Sequence, residues 1–186
     1  MKNINIIFVL SFLFIAQASF AQNHFKIGPS ALINANLFSQ SISTPIGGEI
    51  SYELGLSDHF SVNLAGNIHY GEEESIFLEN RTNKIKQKDL LIGTQVDVRY
   101  HFKGIYNGSY IGIGGDVKHI TAKNYFTSQR DGDPNAIYAD YDFNIGASYG
   151  IYIPLKYGYL NPNIYIGGNP DSEYELHAKL GMNYVF

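Results

Sequence analysis

The chain has 186 residues, with 13 Lys and Arg against 17 Asp and Glu and a formal net charge of −4. That acidic balance argues against a polyanion-binding protein, so no nucleic-acid partner is expected. The absence of cysteine excludes disulfides, thiolate metal sites, Cys nucleophiles and lipid attachment at an N-terminal Cys.

Residues 1–21 read as an export signal. Lys2 gives a positive start, Ile6 to Ala16 form an apolar core, and Ser19-Phe20-Ala21 closes it in a small-x-small pattern. The apolar run is short of the roughly 20 residues a spanning helix needs. The expected organisation is therefore a signal peptide over residues 1–21 and one domain over 22–186, whose charge without Lys2 is −5. Fifteen Tyr, twelve Phe and nineteen Gly beside few charges suit β-structure better than helices.

From His24 onward the dominant signal is alternation with period two. It predicts eight strands, near 24–37, 47–56, 59–70, 89–102, 109–119, 137–153, 157–167 and 173–186. The clearest runs from Leu90 to Phe102, where Ile92, Thr94, Val96, Val98, Tyr100 and Phe102 share one face and Gly93, Gln95, Asp97, Arg99 and His101 the other. Pro29 and Pro162 fall inside the first and seventh segments and predict bulges or strand ends, because proline cannot donate to a ladder. Soluble strands typically span about 5–6 residues, whereas tilted membrane strands need about 9–11; these segments suit the membrane.

The connections alternate too. Short ones fall at Ser57-Asp58, Lys103 to Gly108 and Pro154 to Lys156; longer polar ones fall at Phe38 to Ile46, Gly71 to Lys88, Ile120 to Ala136 and Gly168 to Ser172. An up-and-down barrel would gather the long connections at one end and both termini at the other, as outer-membrane barrels do with extracellular loops and periplasmic turns.

The apolar face of the eight segments carries no Asp, Glu, Lys or Arg. The other face carries Lys26, Glu49, Glu53, Asp97, Arg99, Asp116, Lys118, Asp140, Asp142, Glu173, Glu175 and Lys179. Two arguments turn the apolar face outward. A charge-free face suits lipid, where Arg or Lys costs about 2–4 kcal/mol. The second is volume: rows such as Tyr141, Phe143, Ile145, Tyr149, Ile151 and Ile153 exceed an eight-stranded bore. Phe60, Tyr70, Tyr100, Phe102, Tyr138, Tyr152, Tyr184 and Phe186 near strand ends read as interfacial aromatics. The fold class is all-β: an eight-stranded antiparallel up-and-down transmembrane barrel with a polar lumen and a lipid-facing apolar exterior.

On these segments, and on the closing Leu180-Gly181-Met182-Asn183-Tyr184-Val185-Phe186, the chain resembles the small eight-stranded outer-membrane barrels of the OmpA and OmpX type. The resemblance implies a Gram-negative-type outer membrane with both termini periplasmic, and contact with membrane lipid and lipopolysaccharide. It also implies insertion by the barrel-assembly machinery, with Tyr184 and Phe186 as the assembly signal. No peptidoglycan-binding segment is expected after Phe186. The class fixes a structure rather than an activity.

The candidate site is the polar lumen: Lys26, Glu49, Glu53, Asp97, Arg99, Asp116, Lys118, Asp140, Asp142, Glu175, His177 and Lys179. Its groups must pair, because buried charge is costly. Turn placement sets Arg99 opposite Tyr110 or Gly112, Asn161 opposite Lys179, and Asn163 opposite His177. Eight inward carboxylates, Glu173 among them, against four Lys and Arg leave an acidic excess that a proton or cation would balance. Lipid A-modifying barrels, hydrolases or acyltransferases, are the enzymatic alternative. The deacylases resemble one another in a late His-x-Ser-Asn stretch; here His119-Ile120-Thr121 is the nearest approach, and His69 reads as a rim base without a nucleophile. Asp131-Gly132-Asp133-Pro134-Asn135 reads as a solvated turn rather than a calcium loop, since no bidentate Glu follows. Glu72-Glu73-Glu74 beside Arg81, Lys84, Lys86 and Lys88 reads as a solvated loop, or as contacts to divalent ions and lipopolysaccharide phosphates. Gly112-Ile113-Gly114 has no following helix and is not a nucleotide loop, and Asn107-Gly108-Ser109 is a turn. The expected function is non-enzymatic, structural or surface-interacting through the loops. A lipid-modifying enzyme and a narrow conduit or pocket are the alternatives; no cofactor and no metal are expected.

Overall fold

The structure is a computed structural model that describes residues 23–36, 41–76, 84–126, 137–170 and 175–186. Its strands are β1 (Asn23–Asn36), β2 (Ser41–Ser43), β3 (Ile46–Gly55), β4 (Phe60–Ile76), β5 (Lys84–His101), β6 (Gly108–Phe126), β7 (Ile137–Leu155), β8 (Gly158–Gly168) and β9 (Glu175–Val185). Each pairs antiparallel with its successor in the sheet, and β1 pairs with β9, so the sheet closes. Short β2 pairs Asn34 with Ser43, and β3 continues the same register by pairing Ala31 with Ile46. Together they make one stave broken at Pro45, whose carbonyl still accepts from Leu32 N at 2.8 Å although its own nitrogen has nothing to donate. The barrel therefore has eight staves, as alternation predicts.

The two prolines inside strands do not bulge. In the β1–β9 ladder, pairing lapses between Ile27↔Tyr184 and Ser30↔Gly181, around Pro29, and resumes unshifted. In the β7–β8 ladder, pairing lapses between Gly150↔Asn163 and Ile153↔Leu160, around Pro162, again unshifted. The carbonyl of Ile151, across from Pro162, accepts instead from Asn161 Nδ2 at 3.0 Å. A buried side-chain amide thus replaces the missing backbone donor. Asn161→Ala is expected to cost about 1–3 kcal/mol, the penalty of an unpaired buried carbonyl, read as a lowered urea midpoint of the folded chain.

Two of the long connections are shorter than alternation suggests. β4 runs on to Ile76, β5 starts at Lys84 and β6 continues to Phe126. The register sets Glu72 opposite Lys88 and Glu74 opposite Lys86, so opposite charges occupy directly facing positions. The polar run extends the hairpin even though it has no apolar face to betray a strand. Arg81 and residues 131–135 lie outside the described residues.

Outside the barrel, Phe25, Ile27, Ile50, Tyr52, Leu64, Ile68, Val96, Val98, Ile113, Phe143, Ile145 and Leu180 are all exposed. On β4 the outward row runs from Phe60 to Tyr70, about ten steps of roughly 3.4 Å. At a strand tilt of about 40° that spans a band of about 25 Å, the height of the apolar belt on outer-membrane barrels. Phe60, Tyr70, Tyr100, Phe102 and Phe186 stand on this exterior. Tyr152 does not: it is 2 % exposed and points into the lumen, in phase with Ser148 and Gly150. The side chain of Tyr138 is outside the described residues.

Candidate functional site

Most of the inward residues are polar, small or aromatic. Glycine and alanine on that face leave the bore wide enough for longer neighbours; the missing Cβ of Gly150, for example, is where the Tyr110 ring lies.

Glu53 on β3 is the centre of the network at the short-turn end and is fully buried. Lys26 from β1 ion-pairs with it, and Ser61 and Tyr152 donate hydroxyl protons to it. His101 Nε2 lies 3.2 Å from its Oε1 and Arg99 Nη1 3.4 Å from its Oε2. Arg99 also donates to Asp97 Oδ2 at 2.8 Å and stacks over the Tyr110 ring at 4.5 Å. Lys26 donates to Tyr152 Oη at 2.8 Å. Two cations therefore flank two carboxylates in a closed cluster.

The chain of contacts continues along the inner face of β5. Asp97 Oδ1 accepts from Gln95 Nε2 at 2.6 Å, and Gln95 Oε1 accepts from Lys179 Nζ at 2.5 Å. Lys179 ion-pairs with Glu49, whose other oxygen accepts from Asn183 Nδ2 at 3.0 Å. Nearer the long-loop end Asp116 takes His177 Nε2 at 3.1 Å and Lys118 Nζ at 3.3 Å. Beyond these, Leu32, Pro45 and Leu91 put apolar side chains into the bore.

Among the expected lumen residues, Lys26, Glu49, Glu53, Asp97, Arg99, Asp116, Lys118, His177 and Lys179 are buried together. Asp142 is half-buried, accepting from Asn144 and Asn169 at 2.7 and 3.1 Å. Asp140 is exposed, and its carboxylate accepts from the backbone N–H of Tyr141 at 2.8 Å. Glu173 lies outside the described residues, as does the side chain of Glu175, which opens β9. The acidic excess expected from alternation is thus absent from the buried stretch. Among the described residues Glu49, Glu53, Asp97 and Asp116 face Lys26, Arg99, Lys118 and Lys179, four against four.

Register explains the remaining differences. Arg99 faces Gly112, as one of its two expected partners. Asn161 faces Asn183 and Asn163 faces Gly181, while Lys179 faces Tyr165 and His177 faces Gly167. The β8–β9 connection is longer than alternation suggests, which slides the whole pairing.

His69 is not at the rim. It is fully buried, and its Nε2 lies 2.8 Å from Ser30 Oγ across Gly47. Its Nδ1 makes no hydrogen bond among the described residues, so no carboxylate orients the ring as a hydrolytic triad requires. Nor does any group of three His, Asp or Glu among the described residues offer a metal site.

The short-turn end is closed by aromatic rings that alternation did not single out. Tyr106, in the β5–β6 turn, is 4 % exposed and packs with Tyr110, Tyr152 and Val185. Its ring meets His24 at 3.9 Å and Tyr152 at 5.1 Å between centroids. Burial, with the Glu53 carboxylate adding to it, pushes the Tyr106 phenol well up, so it stays neutral. The turn residue carries φ 63°, between Gly104 at 94° and Gly108 at 80°. Tyr110 and Tyr152 have inward parity, although Tyr152 reads in the sequence as an interfacial ring. Tyr106 was not legible, because a turn has no parity to read. Phe186 stands on the exterior against Tyr184 and Phe25, and its backbone N–H donates to Phe25 O at 3.0 Å.

A family model described as "Protein of unknown function (DUF3575)" matches residues 6–167. No curated protein matches the chain. Among solved structures, the chain is similar to Ail, the attachment invasion locus protein of Yersinia pestis, in complex with the heparin analogue sucrose octasulfate. That likeness has a TM-score of 0.60 at 12 % identity, over 89 % of this chain and 99 % of that one. Neisserial surface protein A gives 0.52 at 9 % identity, over 89 % and 97 %. The outer membrane protein OprG from Pseudomonas aeruginosa gives 0.51 at 11 % identity, also over 89 % and 97 %. The fold is that of the small eight-stranded outer-membrane barrels.

Proposed function

We propose for this chain, which belongs to the DUF3575 family, a non-enzymatic role as an integral outer-membrane barrel that acts structurally or through its long connections. The observation that carries this reading is the exterior: a closed, charge-free apolar band about 25 Å high around a lumen filled with paired charge. Lipid solvates such a band; water would not. In this reading residues 1–21 direct export and the assembly machinery reads Tyr184 and Phe186 at the end of β9. Both termini stay periplasmic, and the connections around 77–83 and 127–136 meet lipopolysaccharide or a surface partner.

The Ser30–His69 contact speaks against the lipid-modifying alternative. It is enclosed in the bore, away from the exterior where an acyl chain would lie, and no carboxylate holds the ring. The bore is filled by side chains across the Glu53 and Glu49 levels, which speaks against a standing conduit.

The test is heat-modifiability. The mature chain folded in detergent is expected to migrate faster unboiled than boiled, with a β-rich far-UV circular dichroism spectrum. A chain that stays soluble without detergent and shows no shift would overturn the membrane reading.

A further inference from the structure

We propose that the exterior of β5, β6 and β7, at the long-loop edge of the apolar band, seats a glycolipid whose phosphorylated sugar lies between the His119–Tyr141 ring pair and the Lys88–Lys123 pair. The inference deepens the role proposed above and rests on its membrane reading, since it names the lipid that this part of the wall would hold.

The three strands run in unbroken register here, from Ile85↔Phe126 to His101↔Tyr110 in one ladder and from Gly108↔Tyr152 to Lys123↔Ile137 in the other. Parity therefore carries from the exposed Ile92, Val117 and Phe143 to the positions above them. In the last row below the edge of the band His119 faces Tyr141, with ring centroids 4.8 Å apart at 52°, and Tyr141 is 74 % exposed. The edge row, level with Tyr70, sets Leu90, Thr121 and Ala139 side by side, so two small residues make a step above the rings. In the first row beyond it Lys88 faces Lys123. From ring pair to lysine pair is four residues, about 10 Å of height at a strand tilt of about 40°.

Lysines at directly facing positions repel. Glu72 faces Lys88 from β4, whereas Lys123 has Ile137 on its other side, so the row holds two ammonium groups and one carboxylate. An anion between the two lysine positions turns that repulsion into attraction. A phosphate monoester, at about −1.5 to −2, does so more fully than a singly charged diester. Below it, the step at Thr121 and Ala139 gives a pyranose ring room, and the C–H face of the sugar packs on the aromatic pair. Tyrosine suits this depth, having an apolar body and a polar tip. Acyl chains continue down the wall over Val117 and Phe143. The neighbouring carboxylate, Asp140, has the opposite parity on β7. The short-turn end is arranged differently: Lys103 and Lys156 sit in separate turns, and Lys156 stands over its own neighbour Tyr157 at 5.0 Å.

The full mature chain, folded in detergent and checked for its heat shift, is incubated with diphosphoryl lipid A and an equal amount of phosphatidylglycerol. Bound lipid is counted by native mass spectrometry. One lipid A is expected to stay bound, preferred about tenfold over phosphatidylglycerol. Lys88→Gln with Lys123→Gln should lower its retention about thirtyfold, the loss of two lysine–anion contacts, while Lys88→Arg with Lys123→Arg, which keeps both charges, should retain it. Tyr141→Ala should lower lipid A retention about fivefold and leave phosphatidylglycerol as it was. Lys103→Gln and Tyr157→Ala, at the other rim, should change neither lipid. Equal retention of the two lipids, or losses as large in the rim controls, would reduce the effect to general charge attraction and overturn the seat. Undiminished retention of lipid A without the two lysines would overturn it as well. A chain that shows the heat shift but holds neither lipid overturns the seat alone, whereas a chain without the shift overturns the membrane reading beneath it.

Discussion

Glu53→Gln should destabilise the barrel by about 3–5 kcal/mol, the usual cost of removing one partner from a buried ion pair. The substitution keeps the shape of the side chain and removes its charge. Arg99 would then keep its ion pair with Asp97 while Lys26 lost its ion pair, and both are buried. Ser61, His101 and Tyr152 would lose their common acceptor as well. The measurement is urea unfolding of the chain in lipid vesicles, followed by loss of the heat-shifted band. The double variant Glu53→Gln with Lys26→Met should recover more than half of the loss, because the stranded cation goes with its partner. A loss below about 1 kcal/mol for Glu53→Gln alone would mean that water reaches this carboxylate in the resting barrel.

Val96→Arg tests the opposite surface. Val96 stands near the middle of the outward row on β5, between Leu90 and Tyr100, and is half exposed. In a bilayer, Arg at that depth costs about 2–4 kcal/mol. On a water-facing sheet the same change would fall within about 0.5 kcal/mol of neutral. The comparison is made by unfolding the variant and the unchanged chain in the same vesicles. A penalty near zero would remove lipid from the account of the exterior and with it the proposed location.

Much of this architecture is legible in the sequence because parity in a strand is strict. Once Val96 is outside, Asp97 and Arg99 are inside, and the same logic places Glu49, Glu53, Asp116, Lys118, His177 and Lys179. Parity also contained Tyr152, which its position near a strand end disguised as an interfacial ring. What alternation does not encode is register between strands. The four-residue slide that pairs Asn161 with Asn183 is decided by the length of one connection. Nor does alternation mark a strand with polar residues on both faces, so the hairpin beyond Tyr70 reads as loop until its cross-strand charges are aligned. Pro29 and Pro162 were correctly singled out as lacking a donor. Their effect is milder than a bulge, because two adjacent pairs drop out of one ladder without shifting the others, and at Pro162 a neighbouring amide makes good the bond. Tyr106 belongs to none of these patterns, since its burial depends on a left-handed turn that brings it under the bore.

The lumen contacts join positions far apart along the chain: Lys26 with Tyr152, 126 residues away, and Glu49 with Asn183, 134 away. A growing sheet of β1 to β5 already holds the contacts of Glu53 with Lys26, Ser61, Arg99 and His101, but neither of these. Until β1 meets β9, Glu49 has no Lys179 or Asn183 and keeps its shell of water, and Glu53 lacks Tyr152. Partial structures therefore carry one part of the network and gain nothing from the rest. Such high contact order makes spontaneous folding slow. An unclosed intermediate would remain hydrated around Glu49, open-edged and vulnerable to proteases, and that last pairing commits the rest of the interior at once.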